Sequence, residues 1–233
     1  MKTSLHFSRG CLTAALLLGA ALSVRADVTV GVDPVASWIG FMNVFNLPAD
    51  GGGFVFNGVW GTADLNASFS GPVATLTPNT SISRDVPLTD TFWWKPSGEG
   101  NKNMDANFYV QDDSLAGQTV TFTGVVLANT LVAPYTSTIF IKDFDGAFNL
   151  TASSTMAVTP GLFSINLATT AGHHIQYGFE TIGPNARLDE VAGFGLVEVT
   201  AVPEPSTAVL LVGGILGGLT LRRFRARSDS AGK

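Results

Sequence analysis

Apolar and polar residues alternate with a period of two along most of residues 27–201, and that period predicts β-strands. In residues 118–126, Val120, Phe122 and Val126 share one face while Thr119, Thr121 and Thr123 occupy the other. Phe163, Ile165 and Leu167 alternate in the same way with Ser164 and Asn166, and Ile175, Tyr177 and Phe179 with Gln176, Gly178 and Glu180. Residues 135–144 and 191–199 are β-branched and aromatic but alternate less cleanly. Further strands are expected at residues 38–45, 54–60, 63–69, 73–77, 92–95 and 107–111. Between them lie the turn clusters Ala49-Asp50-Gly51-Gly52-Gly53, Pro78-Asn79, residues 96–101 and Gly183-Pro184-Asn185. Residues 81–107 read as a long ordered loop with one short strand. No amphipathic helix is expected before the C-terminal tail. Short strands and Gly-rich turns at this spacing predict an all-β, two-sheet β-sandwich of jelly-roll type.

Two apolar runs fall outside this pattern. Lys2 and Arg9, an apolar stretch over residues 11–22 and then Val24-Arg25-Ala26 meet the requirements of a secretory signal peptide over residues 1–26, cut after Ala26. Cys11, the sole cysteine, lies inside this leader, so the remaining chain is expected to carry no disulfide and no thiolate. At the other end, Val202-Pro203-Glu204-Pro205-Ser206 breaks regular structure, because proline removes a donor and fixes φ. An uncharged apolar run over residues 207–221 follows, then Arg222, Arg223, Arg225 and Arg227. The run is shorter than the roughly 20 residues that span a bilayer comfortably. Local thinning and snorkelling arginines still let it cross as a transmembrane helix. Basic residues stay cytoplasmic, which places residues 27–201 on the far side of the membrane, in agreement with the leader.

The C-terminal 202–233 segment resembles the PEP-CTERM sorting signal: Pro203-Glu204-Pro205, an apolar helix, then an Arg-rich end with Arg222, Arg223 and Arg225. The resemblance implies a Gram-negative bacterium, recognition by the membrane protease exosortase, and export alongside extracellular polysaccharide. The chain is then a membrane-anchored intermediate before processing and a cell-surface or matrix protein after it. The middle resembles jelly-roll carbohydrate-binding modules. That likeness rests on Asn107-Phe108-Tyr109-Val110, leading through Leu115-Ala116-Gly117-Gln118 into residues 119–126, and on Gln176-Tyr177-Gly178-Phe179. It implies a non-catalytic glycan contact.

Charge narrows the partners. Only 13% of the residues are charged, and residues 27–201 hold 5 basic against 16 acidic side chains, a net charge of −11. Such a surface repels phosphate backbones, so no nucleic acid partner is expected.

Sugar rings stack their C–H faces on aromatic rings while amides bond their hydroxyls, so the aromatic residues are the first candidates for function. Trp93-Trp94 stands out, because successive side chains of an extended segment point to opposite sides and Lys95 and a polar loop follow. One tryptophan is then core and the other an exposed platform; the competing reading buries all four tryptophans. Asp143, Asp145 and Asn149 are oxygen ligands in one turn and could hold one structural Ca²⁺, although the spacing lacks the terminal Glu of an EF-hand. Asp112-Asp113 and Asp189-Glu190 are lesser alternatives. His173 is expected to face inward with Ile175 and Tyr177 and His174 outward, which prevents joint chelation. No nucleophile elbow, zinc pair or P-loop is present, so no catalytic residue and no cofactor are assigned. Two rivals to the glycan-contact reading stay open: a structural or adhesive surface protein without a ligand, and a glycan-active hydrolase, which needs only two suitably spaced carboxylates.

Overall fold

A computed structural model describes residues 26–203. Most of residues 1–26, Glu204 and Pro205, the apolar run at residues 207–221, and Arg222, Arg223 and Arg225 lie outside the described residues. Among those described, no helix is long and apolar enough to cross a membrane.

The described residues form twelve strands: β1 (Asp27–Gly31), β2 (Trp38–Asn46), β3 (Phe54–Trp60), β4 (Ala67–Ser70), β5 (Val73–Leu76), β6 (Lys102–Gln111), β7 (Thr119–Asn129), β8 (Thr136–Phe144), β9 (Leu150–Ala157), β10 (Gly161–Ala168), β11 (His174–Pro184) and β12 (Val197–Thr200). One short helix, α1 (Ser81–Asp85), sits in the long connection between β5 and β6. The strands make two six-stranded sheets. Sheet 2 runs β3-β2-β6-β11-β8-β9 and is antiparallel throughout. Sheet 1 is organised around β7. β1 and β10 both pair with Thr119–Thr123 and so flank β7 on opposite sides. Further along, β12 follows β1's side and leads on to β5 and β4. β1 against β7 is the one parallel pairing among the described strands.

The sheets close face to face on a single apolar core, which makes the fold a β-sandwich. Alternation dictates what enters it. Val120, Phe122 and Val126 of β7 meet Tyr177 and Phe179 of β11, with ring centroids 5.1 and 5.6 Å apart for Phe122 against Tyr177 and Phe179. At the far end Trp38 stacks on Phe108 at 4.3 Å and tilts against Phe69 of β4.

The structure departs from the sequence expectation in several places. Residues 63–66 form turns ahead of β4, where Asn66 takes φ 60°, so the strand expected at 63–69 starts only at Ala67. The loop expected over residues 81–107 holds α1 and, from Lys102, the first half of β6, whose partners β2 and β11 extend the pairing beyond its own alternation. Residues 92–95 make turns and a single bridge, Trp94 to Gly100, not a strand. Residues 191–199 split into a 3-10 turn, Val191–Phe194, and β12. Gly195 marks the break at φ 80°, where a Cβ would strike the Thr130 carbonyl oxygen at 2.0 Å. β1 and β9 were not expected. β1 is only five residues long, and β9 is an edge strand of small polar residues that shows little apolar signal.

Candidate functional site

The two expected centres come apart in the structure. Asp90 organises the Trp93-Trp94 turn: its Oδ1 accepts from the Phe92 amide at 2.8 Å, and its carbonyl accepts from the Trp94 amide at 2.9 Å. Trp94 is only 1% exposed and Trp93 is half-buried, edge-on to Phe56 and Phe92. Trp94 therefore presents no ring face to solvent, and its assignment as part of a sugar platform is corrected. Its Nε1 is buried with no partner among the described residues.

Strand parity divides the candidate calcium turn. Asp143 shares the inward face of β8 with Ile139 and Ile141 and is fully buried. Its oxygens accept from the Thr170 amide at 2.8 Å and lie 2.6 Å from His173 Nδ1. Asp145 lies past the end of the strand. Its Oδ1 accepts from the amides of Ala147 (2.8 Å) and Asn149 (2.9 Å), and Asn149 Nδ2 donates to Oδ2 at 3.0 Å. These bonds hold the Asp145 carboxyl below its ordinary pKa. The turn joins Asp145 to Asn149 and leaves Asp143 engaged elsewhere, so the three do not converge as ligands. Among the described residues no cluster of three or more His, Cys, Asp or Glu is placed to hold a metal ion. Asp113 instead binds His174 at 2.8 Å, and Asp189 and Glu190 both pair with Arg187.

What the Asp145 turn does is present an aromatic ring. Phe148 sits at φ 59°, a left-handed conformation that costs a bulky residue roughly 1–2 kcal/mol. Its side chain is 54% exposed and stacks on His174, with centroids 4.3 Å apart and planes 6° from parallel. His174 is in turn fixed by Asp113. An aromatic held out at a strained position and braced from below forms a rim.

That rim borders a groove of about 540 Å³ that crosses the outer face of sheet 2 from β3 to β8. Register places Ile39 and Tyr109 in its floor and a packed row behind them. Ile39, Tyr109, Gly178 and Phe140 lie in one cross-strand row. Gly178 is required there, because a Cβ would approach Tyr109 Cα at 2.6 Å. The glycine lets the Tyr109 and Phe140 rings lean together, with centroids 6.4 Å apart. Amides line the groove on both sides of the aromatic row: Asn43, Asn57 and Asn107 toward one end, Gln111 and Gln176 toward the other. Gln176 Nε2 donates to Gln111 Oε1 at 3.1 Å. This arrangement offers apolar rings and paired donors and acceptors, with little free charge.

At one end the lining continues into a polar chain. Asn43 Nδ2 donates to Asp105 Oδ2 at 2.9 Å, and Asn107 Nδ2 donates to Asp105 Oδ1 at 2.7 Å. Lys142 Nζ donates to Asn107 Oδ1 at 2.8 Å and to Glu180 Oε1 at 3.1 Å, and sits 4.1 Å from the centre of the Phe140 ring. Burial, together with the neighbouring Glu180 charge, pushes the Asp105 carboxyl up to about 7. Burial also raises the Tyr109 phenol.

Sequence reasoning missed this face because its residues come from five strands. One signal was present: residues 135–144 alternate poorly, which is what a strand buried on both faces shows. Comparison with protein-family models, curated proteins and solved structures returns no match to this chain.

Proposed function

We propose that this chain is an exported, non-catalytic β-sandwich of jelly-roll type that contacts extracellular polysaccharide through the groove on sheet 2. The observation that carries this reading is the groove's make-up: Phe41, Tyr109, Phe144 and the exposed Phe148 set among the amides of Asn43, Asn57, Gln111 and Gln176, the complement of a sugar's C–H faces and hydroxyls. The contact moves from Trp93 and Trp94 to Phe148, Tyr109, Phe41 and the surrounding amides. Lys142 is the one cation in the groove lining and is already engaged by Glu180, so a neutral glycan fits better than a polyanion. Delivery to the surface rests on the leader at residues 1–26 and on the resemblance of residues 202–233 to an exosortase sorting signal with Pro203, Glu204 and Pro205 as its recognition motif.

The test is binding of the full chain to a panel of neutral and acidic polysaccharides, with Phe148→Ala and Gln176→Ala beside it. Retention on at least one neutral glycan, weakened by both changes, supports the reading. A chain that binds none of the panel, or binds equally well with both changes, is a structural or adhesive protein instead.

A further inference from the structure

Lys142, Glu180 and Asn107 sit on three adjacent strands, with Glu180 on β11, the strand between β8 and β6. The Lys142 amine lies 2.8 Å from the Asn107 side-chain carbonyl oxygen and 3.1 Å from the Glu180 carboxylate. On the other side of Asn107, its amide nitrogen lies 2.7 Å from Asp105 Oδ1. A nucleophile, a base, an amide carbonyl and an acid beside the leaving atom thus adjoin one another. We propose that Lys142 and Asn107 join in an intramolecular isopeptide bond, with Glu180 taking a proton from the amine and Asp105 giving one to the departing nitrogen.

The bonds balance without an outside reagent. Glu180 accepts a proton from the Lys142 ammonium, leaving a neutral amine. Nζ attacks Asn107 Cγ, and the carbonyl electrons move onto Oδ1. Asp105 protonates Nδ2, the carbonyl re-forms, and the Cγ–Nδ2 bond breaks with loss of ammonia. The new amide nitrogen returns a proton to Asp105, and Glu180 returns its own to the ammonia. One C–N bond forms, one breaks, and nothing is oxidised.

The surroundings favour each step. Asn107 is 5% exposed, and the Lys142 and Glu180 side chains are 18% exposed each, against the Phe140 ring. The Phe140 ring packs against the Lys142 amine and limits the water that could compete with it for the Asn107 carbonyl carbon. Asp105 is held protonated to near neutral pH, as an acid at the leaving nitrogen must be. Fixed contact replaces a bimolecular aminolysis that is extremely slow in water. The product ties β6 to β8 across β11, within the groove's lining, in a stretch of residues 27–201 that holds no cysteine to supply a cross-link.

The experiment is peptide mapping by tandem mass spectrometry of the folded full chain, with no glycan present, so its result is independent of the glycan reading. The expected result is a branched peptide joining the Asn107 and Lys142 segments, lighter than the two together by one ammonia. It should be absent from Lys142→Arg and Asn107→Ala and lost or strongly reduced in Glu180→Gln. Unlinked peptides at their sequence masses in the folded wild-type chain overturn the proposal. So does Asn107 recovered as aspartate, since water then attacks in place of Lys142. Undiminished linkage in Glu180→Gln overturns the assignment of the base.

Discussion

The outer faces of the two sheets follow the same alternating rule and reach opposite results. On sheet 1, Thr29, Thr119, Thr121, Thr123, Ser164 and Asn166 form a polar ladder that is exposed or half-buried. On sheet 2, the outward-pointing Asn107, Tyr109, Phe140 and Gln176 are as buried as the core, between 1% and 8% exposed. The difference lies in what the neighbours allow. Gly178 opens a slot into which large rings lean, and the Phe148 turn rises over one margin. A strand's solvent side becomes a working surface only when its neighbours wall it in, and here only sheet 2 is walled.

Substitutions should separate the faces. Phe140→Ala is expected to cost about 3 kcal/mol in denaturant unfolding, a core-sized loss from an outward position. A loss near zero would make the two faces equivalent. Next in size is a pH effect confined to sheet 2. Asp105 has a folded-state pKa raised from 3.8 to about 7, so the folded chain holds this proton more tightly than the unfolded one. Its contribution to stability is therefore fully present below 3.8 and is lost as pH rises to about 7. Asp105→Asn should flatten that decline in urea midpoints, whereas an unchanged slope places the titrating group elsewhere. Phe148→Ala should weaken glycan binding about tenfold, or about 1.4 kcal/mol, without moving the unfolding midpoint. Thr121→Ala on sheet 1 should change stability by no more than about 0.5 kcal/mol and leave binding untouched.

The core was readable in the alternation of single strands. Phe54–Trp60 forms a strand with the expected bounds, and the inward sets of β7, β10 and β11 match the expected faces, because one buried side imposes a period of two. Trp93 and Trp94 were misread because Asp90 folds that segment into a turn, and parity arguments hold only for extended backbone. Asp143 was grouped with Asp145 by nearness in sequence, yet β8 ends between them and sends Asp143 inward. The groove was least legible. Whether Gln176 faces water or a wall depends on Phe144 and Gln111 of neighbouring strands, and no local pattern encodes that pairing.

The parallel seat of β1 has a temporal consequence. Asp27–Gly31 finds its partner only when residues 119–123 have emerged, and β12 must then close the gap between β7 and β5. Sheet 1 is thus the layer that closes only when segments far apart in the chain have met, and such long-range pairing makes its closure a slow step of assembly.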